Sequence, residues 1–183
     1  MAVKTFTSEI LTSGDTNTYL ANSGLVYVTS ATVGTGVASV TVSSAFNSTY
    51  DNYKIIYSGG TNSSVASVAL TIGGSTTGYF GILMYALVSA ATPLAAGTNN
   101  AASLPYIGGC NIANQAVIVD FDLINPFAAA YSRIIGAQYS DGAYFGTTQG
   151  EHRVATSYTS FALIPSAGTL TGGTVTVYGY RKA

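Results

Sequence analysis

Charge is what this sequence has least of. Its 183 residues hold six Lys and Arg and seven Asp and Glu, 7% of the chain, where soluble domains ordinarily carry roughly a quarter. With a net charge of −1 and no basic cluster beyond Arg181 and Lys182, counterion-release binding to nucleic acid has little to work with, and no nucleic-acid partner is expected. No stretch approaches the ~20 uninterrupted apolar residues that span a bilayer. The best, residues 79–96, is broken by Gly81, Ser89, Thr92 and Pro93, so no membrane insertion is expected. Cys110 is alone, which excludes an internal disulfide. One His and one Cys cannot make a zinc site of the usual ligand count within a single chain. The first residues lack the apolar run of a secretion signal. No glycine-rich phosphate loop with lysine and no serine nucleophile elbow is present. No cofactor and no metal are expected.

What is there is 48% hydrophobic residues, 21 Gly, 14 Tyr and a dense scatter of Ser and Thr. Solubility must then come from hydroxyls and amides. A surface without ions loses its water cheaply when a partner docks, which suits permanent subunit contacts. The length fits one domain burying about 70% of its unfolded surface. A helix signal comes first: Thr12 with Asp15 reads as a capping box and Gly24 as the glycine that stops it. The helix interior, with Gly14, Thr16, Asn17 and Thr18, is too poor to hold alone in water. It is read as an attachment device through Leu11, Thr12, Asp15, Tyr19 and Leu20.

After Gly24 the period becomes two. Short β-branched or aromatic runs lie at 25–32, 38–42, 53–58, 65–72, 79–87, 116–124, 133–139, 143–147, 160–164 and 174–180. Asp141-Gly142 reads as a hairpin turn. Nine or ten strands, many at roughly 8–12-residue spacing, predict a single β-sandwich, jelly-roll-like, over 25–183, preceded by an N-terminal attachment segment over 1–24. Residues 89–115, rich in Ala, Asn and Gly without a strand period, are expected to form a long loop.

Acid–base chemistry is poorly served. His152 sits between Glu151 and Arg153 and reads as a solvated loop residue. Asp120 and Asp122 fall on one face of a strand, about 7 Å apart. That separation suits glycosidase carboxylates only if they flank a scissile bond. The plainer expectation is that they face solvent or pair with a residue such as Arg133. Most tyrosines are expected to be ordinary strand residues. Asn99, Asn100, Tyr106 and Asn111 in the long segment, with Tyr144 and Phe145 after the turn, are the candidates for neutral polar and aromatic contacts, either with a sugar ring or within a subunit interface.

Three segments resemble virion structural proteins of tailed bacteriophages, of the marine and cyanobacterial type. Residues 11–22, Leu-Thr-Ser-Gly-Asp-Thr-Asn-Thr-Tyr-Leu-Ala-Asn, preceded by Phe6, are similar to an opening that recurs in phage fibre and minor structural proteins. Thr16 stands where that family often has an apolar residue, which weakens the helix's packing face. Residues 46–58, with Phe46 and then Tyr50-Asp51-Asn52-Tyr53 leading into an apolar strand, resemble a segment of phage appendage domains. Residues 156–182, closing on Gly173-Thr174-Val175-Thr176-Val177-Tyr178-Gly179, resemble their final strands. The resemblance covers about a third of the chain. It implies a non-enzymatic virion component made in the host cytoplasm, homo-oligomeric and most simply trimeric, touching other virion proteins. The favoured expectation is a tail fibre or appendage with loops that contact a host-surface glycan. The alternatives are a capsid decoration protein and, from another class, a β-sandwich carbohydrate-active enzyme.

Overall fold

Alternation of buried and outward residues builds the central strands of this molecule, Asn52–Ser58, Ala66–Ile72, Ile118–Ile124, Phe161–Pro165 and Thr174–Tyr180. The computed structural model describes residues 24–90, 92–110, 116–140 and 144–182. The expected helix before Gly24, Asn111 and the expected Asp141-Gly142 turn lie outside the described residues. Fourteen strands run through the described chain: β1 (Leu25–Thr32), β2 (Val40–Val42), β3 (Asn52–Ser58), β4 (Thr61–Asn62), β5 (Ala66–Ile72), β6 (Tyr79–Leu87), β7 (Pro93–Ala101), β8 (Leu104–Cys110), β9 (Ile118–Ile124), β10 (Ser132–Ser140), β11 (Tyr144–His152), β12 (Phe161–Pro165), β13 (Leu170–Thr171) and β14 (Thr174–Tyr180). Every pairing among them is antiparallel.

The topology is a jelly roll with two inserted hairpins. With β6–β7, β10–β11 and the small β4–β13 ribbon set aside, eight strands remain, and they pair as nested brackets. The first joins the last (β1 with β14), the second the seventh (β2 with β12), the third the sixth (β3 with β9) and the fourth the fifth (β5 with β8). Two four-stranded sheets result, β1-β14-β3-β9 and β2-β12-β5-β8, the arrangement that defines a jelly roll. Both inserts then add to the first sheet. β10 pairs with β9, β11 with β10, β6 with β11 and β7 with β6, giving eight strands in the order β1-β14-β3-β9-β10-β11-β6-β7. One edge of β9 is shared: β10 takes residues 120–124 and β8 takes 118–119, so β8 leads from one layer into the other.

The core lies between the layers. Tyr53, Ile55 and Tyr57 of β3, Val119, Phe121 and Leu123 of β9, and Val175 and Val177 of β14 face Val68, Leu70 and Ile72 of β5 and Phe161 and Leu163 of β12, all buried. Phe161 is stacked on Phe46 at 5.6 Å and meets Phe121 edge-on at 6.4 Å. Each such side chain contributes about 1.5–3 kcal/mol by leaving water. The buried tyrosines also carry hydroxyls, and these serve loops. Tyr53 accepts from the Asn47 amide at 2.8 Å and donates to the Asn47 carbonyl at 2.9 Å; Tyr57 donates to the Gly172 carbonyl at 2.8 Å; Tyr79 accepts from the Ile72 amide at 2.6 Å. Burial pushes the hydroxyls of Tyr57 and Tyr79 up to about 12.

The long-loop expectation for 89–115 is corrected: this segment holds β7 and β8. β7 is an edge strand of small residues exposed on both sides, so no alternation marks it. In β8 the last four residues are buried in succession, because Gly108 and Gly109 lie where β5 and β9 both press on the strand. Tyr106, at φ 62°, breaks the period further.

Candidate functional site

The inserted hairpins create a broad sheet face that belongs to neither jelly-roll layer. Cross-strand partners share a face, so the registers of β6, β11 and β10 order the outward residues into rows. These are Ala86-Phe145-Tyr139, Met84-Thr147-Ala137, Ile82-Gln149-Ile135 and Phe80-Glu151-Arg133. Pro93, Ala95 and Gly97 of β7 continue three of them. Five large apolar side chains here, Ile82, Met84, Ile135, Tyr139 and Phe145, are 37–59% exposed. Tyr139 and Phe145 meet edge-on at 6.0 Å. The first three rows contain no charged residue.

Charge gathers at two borders of this face. Beyond the third row, Glu151 is paired with Arg153 and lies 4.0 Å from Arg133, while the Arg153 guanidinium sits 4.2 Å from the Phe80 ring centre. A shallow depression of about 330 Å³ opens there, with the backbone of Gly81 and Gly150 among its lining. On the β9 side, Lys54 of β3 is paired with Asp120 and lies 3.8 Å from Asp122, and the Tyr180 hydroxyl donates to Asp122 at 2.6 Å. Burial, then that hydrogen bond and the nearby carboxylates, raise the Tyr180 hydroxyl to about 12. Asp120 and Asp122 do share one face, but Lys54 and Tyr180 engage them and Arg133 does not. Register explains the correction: Lys54 is the direct cross-strand partner of Asp122, whereas Arg133 is opposite Ile124.

The inner face of the extension is held by β8. An added Cβ at Gly81 or Gly150 would come within 2.5 or 2.7 Å of Leu104 Cδ1, so these two glycines form the notch in which the Leu104 side chain is seated. Thr148 donates to the Tyr106 carbonyl, tying β11 to β8.

His152 is not a solvated loop residue. It ends β11 and is fully buried, because alternation sends Glu151 and Arg153 outward and the residue between them inward. Its ring lies 4.4 Å from that of Tyr79 and 5.4 Å from that of Tyr158. Nε2 is 2.9 Å from Ser75 Oγ and 3.1 Å from the Thr77 carbonyl, while Nδ1 is buried without a hydrogen-bond partner. Burial holds its pKa below the usual 6.5. Cys110 is buried too, its thiol pushed up to about 11 and donating to the Ala66 carbonyl.

The residues singled out from sequence do not converge. Asn100 is structural: its Oδ1 accepts from the Gly78 amide at 3.1 Å and from the Thr77 hydroxyl at 3.2 Å. It lies with the exposed Asn99 near the Tyr79 end of β6, whereas Phe145 is opposite Ala86. That separation is about six strand residues, roughly 20 Å. Tyr144 points to the inner side, its ring 4.9 Å from that of Tyr85. Tyr106 is half-buried on β8. Among the described ones, Phe145 alone lies in the rows of exposed apolar side chains on the outer face. Sequence reasoning missed Ile82, Met84, Ile135 and Tyr139: the run 79–87 is continuously apolar and does not show which of its residues face outward, and 133–139 reads only as a strand. Among the described residues no three His, Cys, Asp or Glu side chains are placed to hold a metal ion, and no described helix is long and apolar enough to cross a membrane. No family model, curated protein or solved structure matches the chain. The fold is therefore defined by its own topology, a jelly-roll β-sandwich whose first sheet is doubled by two inserted hairpins.

Proposed function

We propose that this protein is a non-enzymatic structural component of a bacteriophage virion, a homo-oligomeric subunit of a tail fibre or related appendage. The observation that carries this reading is the exposed face of β10-β11-β6-β7, a rigid sheet surface with three uncharged rows and five exposed large apolar side chains. Patches of that kind mark contact surfaces, and a jelly roll is a frequent scaffold for assembling subunits. The phage-like segments around Phe46 and Tyr178 point the same way. Tyr53, inside the first, is a core residue tied to the turn at Asn47, and Val175 and Val177, inside the second, are core residues of β14. Among the described residues, the acid–base candidates read from the sequence are engaged: His152 and Cys110 are buried, and Asp120 and Asp122 are held by Lys54 and Tyr180.

Peptide mass spectrometry of purified phage particles, followed by gold-labelled antibody in electron microscopy, tests the proposal. Label on a tail appendage is the expected result. Label over the head would replace the appendage reading with capsid decoration, and absence of the protein from particles overturns both.

A further inference from the structure

We infer that the outer face of β10-β11-β6-β7 binds the same face of a second copy of this chain, in a two-fold, face-to-face contact. This rests on the reading of the chain as an assembling subunit and names the surface and the partner. Four strands about 4.8 Å apart and four rows about 6.8 Å apart give a flat footprint of roughly 500 Å². Side chains standing on it bring the accessible area towards the roughly 800 Å² per partner that a standard interface buries. The centre of the footprint carries Met84, Thr147, Gln149 and Ile135, with no ion to desolvate.

The borders supply the reason for a second copy rather than an unrelated partner. One border, Arg133, Glu151 and Arg153, has two cations and one anion; the other, Lys54, Asp120 and Asp122, has one cation and two anions. They lie on opposite sides of a diagonal that runs from Ile135, between Gln149 and Thr147, to Met84. A two-fold axis along that diagonal exchanges the borders, bringing Arg133 of each copy over Asp122 of the other. It also lays the apolar centre on itself. Isologous contacts require this self-complementarity, and charge apposed at the rim fixes the register of an apolar centre. Arg133, with 71% of its side chain exposed and its nearest carboxylate 4.0 Å away, is free to reach across.

Sedimentation of the full chain over a range of concentrations tests the inference, independently of where the protein sits on a particle. The native chain should sediment as a dimer or a higher even-numbered species. Met84→Glu with Ile135→Glu places two carboxylates in the centre and should weaken association by about tenfold or more. Arg133→Glu, at a highly exposed position that leaves the core untouched, should weaken it less but measurably, and serves alone if the double variant does not fold. Thr41→Glu, on the exposed outer side of β2 in the other sheet, should leave association unchanged. A full chain that stays monomeric at every concentration overturns the inference, because its own residues 1–23 or solvent then cover the face. So does a stable trimer, or association that survives both the double variant and Arg133→Glu. Loss of the dimer with Thr41→Glu alone would move the contact to the second sheet.

Discussion

At the scale of single residues, His152 shows how alternation can hide chemistry. Read along the chain it is the middle of a charged tripeptide; in the sheet its neighbours face solvent while it packs between Tyr79 and Tyr158. With Nε2–H donating towards Ser75 and Thr77, Nδ1 is left buried, and a proton there would put an unpaired charge beside two aromatic rings. The folded pKa is lowered relative to 6.5, so the unfolded chain binds the proton more readily. The stabilisation from neutral His152 is therefore complete above about pH 6.5 and is lost as the pH falls from there towards the lowered folded value. Melting temperature measured from pH 7.5 down to 5 should fall, and His152→Phe should flatten that slope; an equal slope in the variant would assign the proton to another group. Tyr79 works as a pair with it. Tyr79→Phe keeps the ring but strands the buried Ile72 amide, a loss of about 1–3 kcal/mol that a denaturant midpoint will register.

At the scale of elements, the inserted hairpins join the jelly roll edge-on through the pairing of β10 with β9, and their inner face is seated by a narrow seam, Leu104 in its glycine notch and the Thr148 bond to Tyr106. Leu104→Ala should cost about 2–5 kcal/mol. Gly150→Ala, whose Cβ would meet Leu104 at 2.7 Å and the Phe80 carbonyl at 2.8 Å, should cost about 1–3 kcal/mol by overpacking. Hydrogen exchange should rise first in β6 and β11 in either variant; uniform exchange across both sheets would show that the seam is no separate unit. The same seam explains what the sequence could not display. β3, β9 and β14 each bury one face against the other layer and leave the other to water, so their alternation is written directly in Tyr53-Ile55-Tyr57, Val119-Phe121-Leu123 and Val175-Val177. β7 has no buried face to enforce a period, and β8 lies between two sheets and is covered on both sides near Gly108. Asp122 and Lys54 were legible as strand residues but not as partners, because pairing depends on register between segments far apart in sequence. The exposed apolar face follows the same logic: its residues sit on four strands, and only the pairing of β11 with β6 assembles them.

At the scale of the whole molecule, the distribution of charge matters more than its scarcity. From residue 55 to residue 119 the chain contains no Asp, Glu, Lys, Arg or His, and the second sheet, β2-β12-β5-β8, has none in its strands. Its outward residues are uncharged and mostly small or hydroxylated, Thr41, Ser67, Ala69, Thr71 and Ala162 among them. Among the described residues, ions are confined to the outer face of the first sheet and to the ends of its strands, where Lys182 pairs with Asp51 at 2.7 Å. Such surface pairs each contribute little and are screened by salt, so the fold must rest on apolar burial and on backbone pairing. The two causes separate by salt type. Sodium chloride screens charge while changing burial little, whereas sulfate strengthens burial by its exclusion from protein surface. Raising sodium chloride from about 0.05 to about 1 M at pH 7.5 should move the melting temperature by no more than roughly 2–3 °C, whereas sodium sulfate at equal ionic strength should raise it clearly. A large fall in sodium chloride would mean that Lys54, Asp120 and Asp122, or the Arg133 cluster, hold the fold together more than their exposure allows.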